Sequence, residues 1–193
     1  MNSESYGMTS RILRAVQVAV EAHSGQNRKA SEVPYVLHPL AVAAKLVALG
    51  SAEDMIIAGI LHDTVEDTDL TSEMIKREFG PEVMRIVEGC SEPDKSDTWE
   101  NRKRHTLEML KTAPDDVLIV SWADKLDNIR SIRDDMARCH ESIWKRFRRP
   151  RESQEWLFRS LLQVFEDRMK NSPLDELVEE FRVEVERVFG PQK

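Results

Sequence analysis

Apolar residues recur along this chain with the three-and-four spacing of helices, and alternating stretches of the kind strands need are scarce. The first stripe, Ile12, Leu13, Val16, Ala19 and Val20, predicts a helix over about residues 10–23. "SGQNRKASEVPY" follows, rich in Ser, Gly and Asn and closed by Pro34, and reads as a loop. His38-Pro39 opens a second helix, since proline is well accepted in a first turn, and Gly50 stops it. Ser51 is placed to cap a third, "AEDMIIAGILHD", whose early Glu53 and Asp54 suit the positive end of the helix dipole.

Beyond it, "VEDTDL" reads as a loop, and two short helices follow, split at Gly80-Pro81. "CSEPDKSD" (90–97) is polar, contains proline and reads as a surface loop. "TWENRKRHTLEML" is helical again, up to Thr112-Ala113-Pro114. The longest helix is expected from about Asp116 to Met136, an irregular basic stretch from Arg138 to Arg149, and two amphipathic helices at about 151–170 and 173–188. No internal repeat or low-complexity segment interrupts this pattern. The expected fold class is all-α, about eight to ten helices, with residues 1–193 as a single domain.

Composition narrows the function. A chain of 193 residues with 40% hydrophobic and 33% charged residues can bury a core. Its net charge of −7 argues against a general nucleic-acid-binding role. Basic residues are clustered at "NRK" (27–29), "NRKRH" (101–105) and "WKRFRRPR" (144–151). Such clusters fit solvated helix faces or the recognition of a small polyanion. Cys90 and Cys139 are the only cysteines, which suits a reducing compartment. The start, "MNSESYGMTS", lacks the regions of a signal peptide, and no apolar run approaches a membrane span. A cytoplasmic protein without a membrane partner is therefore expected; oligomeric state is not encoded in any pattern of this kind.

One stretch stands apart. "AGILHDTVEDT" (58–68) begins as a run meant for burial and ends in His62, Asp63, Glu66 and Asp67. Desolvating so many ionisable groups is costly unless a partner compensates them, and a bound cation is the natural one. His38, at the start of a helix, and Asp124, set among Val117, Ile119, Val120, Leu126 and Ile129, complete a candidate set of two imidazoles and two carboxylates. Taken alone, a His or Asp near a helix end is a cap or a satisfied core group, and Asp124 would pair with Lys125 or Arg130. Taken together, His38, His62, Asp63 and Asp124 form a mixed N/O donor set that suits Mn²⁺ or another first-row divalent ion. Such an ion lowers the pKa of bound water towards ~7 and polarises a phosphoryl oxygen. Glu66 and Asp67 follow closely enough to accept a proton from that water.

"HDTVEDT" (62–68), "AHSGQNRK" (22–29), "PYVLHPLAVA" (34–43) and "ADKLDNIR" (123–130) together resemble the HD hydrolase domain of the RelA/SpoT family. The similarity covers roughly residues 10 to 133, and the length resembles that of single-domain small alarmone hydrolases. The resemblance implies an HD-type helical bundle that removes the 3′-pyrophosphate of (p)ppGpp, the alarmone of the stringent response, with Mn²⁺ and by attack of a metal-bound water. It implies His38, His62, Asp63 and Asp124 as metal ligands and Glu66 and Asp67 as the pair that activates the water. It places Arg28 and Lys29 on the guanine base and phosphates, Tyr35 at the pocket wall, Asn128 near sugar and phosphate, and Arg102 and Lys103 near the terminal phosphates.

The chain departs from the family pattern at "RKASEVPY", which is one residue longer than the common "RKSGEPY" and lacks its glycine. This loop shapes the base pocket. Trp122 also stands where a smaller apolar residue is common. Two other functions fit the same residues: an HD phosphohydrolase acting on another nucleotide or phosphorylated metabolite, and a non-catalytic nucleotide sensor. Trp156 and Phe158 are expected to serve packing.

Overall fold

The computed structural model describes residues 9–28, 32–92, 96–170 and 172–191. Among them lie ten α-helices: α1 (Ser10–Ala22), α2 (Leu37–Ala48), α3 (Glu53–Leu61), α4 (Thr64–Asp67), α5 (Ser72–Phe79), α6 (Pro81–Cys90), α7 (Trp99–Leu110), α8 (Asp115–Cys139), α9 (Arg151–Met169) and α10 (Asp175–Phe189). A 3-10 helix spans His140–Arg146. The described residues contain no strand beyond an isolated bridge between Asn27 and Pro34, so the all-α expectation holds. No helix among them is long and apolar enough to cross a membrane.

Contacts sort the chain into two compact units. The first comprises the chain up to Ser91 together with Pro114–Asp124, and the second comprises Glu92–Ala113 and everything from Lys125 onward.

In the first unit α3 is the central element, packed by α1, α2 and α6. Its residues Ile56, Ile57, Ala58, Gly59, Ile60 and Leu61 are buried in an unbroken run, which marks a helix enclosed on all sides rather than an amphipathic one. Gly59 permits the close approach of α2: a Cβ there would lie 2.5 Å from Leu46 Cδ1. Gly89 does the same for α6, where a Cβ would meet the Val117 methyls at 2.8 and 2.9 Å. Trp122 is fully buried, with Lys45 Nζ 5.4 Å from its ring centre.

Helix starts follow local chemistry. Thr9, Thr71 and Thr98 each accept a hydrogen bond from the amide three residues on, capping α1, α5 and α7. Gly80 ends α5 at φ 96°, and Pro81 begins α6, as the Gly-Pro pair predicts. Three details differ from expectation. Ser51 does not cap α3; its amide donates to Leu46 O and completes the end of α2, and Ala52 precedes α3 without a side-chain bond. "VEDTDL" is not all loop, because Thr64–Asp67 closes one helical turn as α4. The 138–149 stretch is more regular than its pattern, since α8 runs to Cys139 and the 3-10 helix follows.

The second unit is held by α9 against α10 and α7. Phe158, Phe165 and Phe181 form its aromatic centre, with Phe165 and Phe181 edge to face at 5.0 Å. Phe158 is buried and Trp156 lies 6.1 Å from Trp99, both in packing roles. Arg168 donates to Leu110 O and Ala113 O, which satisfies carbonyls just past and at the end of α7. Glu184, buried on α10, receives Arg130, Arg133 and Arg187. The Arg151 guanidinium lies over Trp144 and Phe189, so part of the basic 144–151 segment serves packing.

Candidate metal centre

The two helices that flank the α2–α3 contact bring the imidazoles together. His38 lies in the first turn of α2 and His62 caps the end of α3; each is 2% exposed. Their rings are edge to face, with centroids 5.2 Å apart. Asp124, 7% exposed, comes from α8 where that helix belongs to the first unit. His38 Nε2 lies 3.2 Å from Asp124 Oδ1 and 3.6 Å from Asp63 Oδ2. His62 Nε2 lies 3.1 Å from Asp63 Oδ2 and 3.8 Å from Asp124 Oδ1.

The orientation of the His62 ring follows from its neighbour. Its Nδ1 sits 2.8 Å from Gly59 O, and a carbonyl only accepts, so Nδ1 carries a hydrogen and Nε2 is the ring atom left to face the site. That Nε2 is buried and makes no hydrogen bond. A buried ring nitrogen facing two carboxylates and a second imidazole fits a cation, and the carbonyl behind the ring is the kind of outer support ligating histidines use. Candidate ligand atoms of His38, His62 and Asp124 all lie within 4.8 Å of one another. Atoms each about 2.1 Å from one centre stand about 3–4 Å apart, as the 3.2 and 3.8 Å separations of the two imidazoles from Asp124 do, so the donor set fits a divalent ion.

Asp63 occupies a different station. It approaches both imidazoles, but its Oδ2 also accepts a hydrogen bond of 2.5 Å from the Tyr35 hydroxyl. Tyr35 therefore orients the carboxylate that approaches both imidazoles, a contact beyond the pocket wall implied by resemblance. Electrostatics agree with a site built for positive charge. Burial works to lower the His62 pKa, yet Asp63 and Asp124 raise it well above its ordinary value. Burial works to raise Asp63, yet His62 and His38 hold it far below the carboxylate range. Burial, then the charges of Asp63, Asp124 and Asp67, drive the Tyr35 hydroxyl up, so it remains a donor at neutral pH. Of the two alternative partners for Asp124, Lys125 and Arg130, the latter is engaged with Glu180 and Glu184.

The other predicted residues are placed as follows. Glu66 and Asp67 lie on α4, the turn directly after His62-Asp63, with Glu66 half-buried and Asp67 exposed. Arg28 is half-buried in a small hairpin in which its amide donates to Val33 O and the Tyr35 amide to Gln26 O. Lys29 lies outside the described residues. Asn128, half-buried, belongs to the part of α8 in the second unit. Arg102 and Lys103 lie in that unit too, and both pair with Glu92, Arg102 at 2.7 Å. Sequence reasoning missed the Gly59 carbonyl behind His62 and the Tyr35 bond to Asp63 in this cluster, and, in the second unit, the pairing of Arg102 and Lys103 with Glu92.

Comparison with known proteins adds to this geometry. The HD domain family model matches residues 15–152. A guanosine-3′,5′-bis(diphosphate) 3′-pyrophosphohydrolase of Danio rerio is 39% identical over 151 residues, covering 77% of this chain and 81% of its own length. A protein of the same name from Aquifex aeolicus (strain VF5) is 44% identical over 126 residues, covering 63% of this chain. The chain spans only 18% of the length of that Aquifex relative. Among solved structures, one described as a metazoan ortholog of SpoT that hydrolyzes ppGpp superposes with a TM-score of 0.73 at 27% identity, covering 90% of this chain and 94% of the other.

Proposed function

The chain belongs to the HD domain family, and from that premise we propose that it is a metal-dependent hydrolase that removes the 3′-pyrophosphate of (p)ppGpp. The observation that carries the reading is the buried Nε2 of His62, its ring fixed by Gly59 O and set among His38, Asp63 and Asp124. The activity named for the Danio rerio relative, most of whose length is covered, supports the substrate.

His38, His62, Asp63 and Asp124 would hold the ion in this reading, and their imidazole and carboxylate chemistry suits Mn²⁺ or another first-row divalent ion. When bound, such an ion supplies an acidified water and charge to neutralise a phosphoryl oxygen. Tyr35 donates to Asp63 Oδ2 and fixes the direction of that carboxylate. Glu66 and Asp67 would accept a proton from the attacking water and return it to the ribose 3′ oxygen that leaves phosphorus. Arg28 and Lys29 hold base and phosphates, with Asn128, Arg102 and Lys103 contributing to the nucleotide; in a chain of net −7, such local positive charge is what retains a dense anion. These basic groups orient the substrate and leave the proton chemistry to the acidic turn.

One observation favours a second reading, an HD phosphohydrolase of different nucleotide choice: the "RKASEVPY" loop is longer than the common form and lacks its glycine. A panel of nucleotides incubated with the Mn²⁺-loaded protein separates the two. Equimolar GDP and pyrophosphate from ppGpp is the expected result. Orthophosphate release, or turnover of another nucleotide with ppGpp untouched, would overturn the first reading.

A further inference from the structure

One side chain ties the hairpin to the acidic turn. Gln26 Nε2 donates to the main-chain oxygen of Asp67 at 2.9 Å, and Gln26 Oε1 lies 2.9 Å from His23 Nδ1. The Asp67 oxygen can only accept, so the amide group of Gln26 must face it. Oε1 then faces His23, whose Nδ1 must carry the hydrogen. His23 is 3% exposed, and its Nε2 is buried without a hydrogen-bond partner. Its ring lies 4.8 Å from that of Tyr35, whose amide donates to Gln26 O.

The turn at the far end of this link needs support. Helix α4 has four residues, and so short a helix does not persist by its own hydrogen bonds. Its last carbonyls lack partners within the helix. The Thr64 carbonyl receives the Thr68 amide and hydroxyl, and the Asp67 carbonyl receives Gln26. The residues that this arrangement aims are Glu66 and Asp67.

We propose that His23 and Gln26 are positioning residues: His23 holds the Gln26 amide, and Gln26 fixes the main chain at Asp67, setting the direction of the Glu66 and Asp67 carboxylates. The inference rests on the reading of those two carboxylates as proton acceptors. His23 takes part in no chemical step and acts only through its neighbour. Because Gln26 also receives the Tyr35 amide, the hairpin that carries Arg28 and the turn that carries the acids share one fixed point.

Two substitutions at His23 separate positioning from packing. His23→Phe keeps ring volume against Tyr35 but has no donor, whereas His23→Asn loses the ring and keeps an N–H near the place of Nδ1. Gln26→Met keeps length and loses both bonds. The measurements are kcat, KM and bound Mn²⁺ with ppGpp, and amide hydrogen exchange across residues 64–68, with α9 amides as the folding control. His23→Phe and Gln26→Met are expected to lower kcat roughly tenfold to a hundredfold while metal is retained and exchange at 64–68 quickens. His23→Asn is expected to recover most of the loss. A fully active Phe variant beside a crippled Asn variant, or kcat unmoved in all three, overturns the proposal. If the wild-type protein turns over no ppGpp, the functional reading fails, and exchange decides the clamp alone: faster exchange at 64–68 in Phe and Met supports it, and unchanged exchange overturns it.

Discussion

Replacing Gly59 by Ala tests how tightly the site's scaffold is packed. In an exposed helix interior the change would stabilise by about 1 kcal/mol, because Gly is the poorer helix former. Here the added Cβ would stand 2.5 Å from Leu46 Cδ1, 3.3 Å from Val42 Cγ1 and 3.9 Å from Ala43 N. Carbon atoms prefer about 3.5–4.0 Å, so Leu46, fully buried, must retreat by about 1 Å. Overpacking of this kind costs about 1–3 kcal/mol, which leaves a net loss of up to about 2 kcal/mol after the propensity gain. The assay is urea unfolding in a double-mutant cycle with Leu46→Ala. Leu46→Ala alone is expected to cost about 2–5 kcal/mol. In that background the clash with Leu46 is gone, and Gly59→Ala should turn favourable by up to about 1 kcal/mol. A Gly59→Ala effect of equal sign and size in both backgrounds would refute the argument.

Asp124→Ala should lose bound metal and turnover together, read by elemental analysis and by pyrophosphate release; an intact metal load would remove Asp124 from the ligand set. Glu66→Gln should keep the metal and lose roughly two to four orders of magnitude in kcat, and loss of the ion instead would show its role to be misassigned. Burial tends to raise the Glu92 carboxyl, but Lys103, Arg102 and Lys125 hold it below its usual range. Its contribution is thus full above an unfolded value of about 4.3 and is lost as pH falls through the lower folded value. Glu92→Gln should therefore be less stable than wild type at pH 7, with the gap closing well below pH 4 in denaturant titrations.

The candidate ion-binding residues are legible in the sequence because ionisable groups directly behind an apolar run demand a compensating charge. His62 and Asp63 behind "AGIL", and Asp124 among Val120, Leu126 and Ile129, are cases of that demand. Helix spacing and the Gly80-Pro81 break located most elements for the same reason, since both are local signals. What stayed hidden depends on contacts between separate segments. Tyr35 reaches Asp63 only once the hairpin closes, and Ser51 turned back to finish α2 rather than cap α3. Asp124 gave no sign, in its own neighbourhood, that Arg130 would be drawn to Glu180 and Glu184, more than fifty residues on in the latter case. Arg102 and Lys103 looked uncommitted because their partner Glu92 lies in a segment with no helical periodicity.

The route of the backbone constrains how such a protein can be inherited or dissected. The chain passes from one compact unit to the other after Ser91, after Ala113 and again after Asp124, the last time inside the uninterrupted helix α8. No single cleavage releases either unit as a contiguous fragment, and a break at the third passage would sever the helix beside Asp124, a carboxylate of the candidate metal centre. Gene fusion or shuffling could carry these units only as an inseparable cassette, with junctions placed outside both.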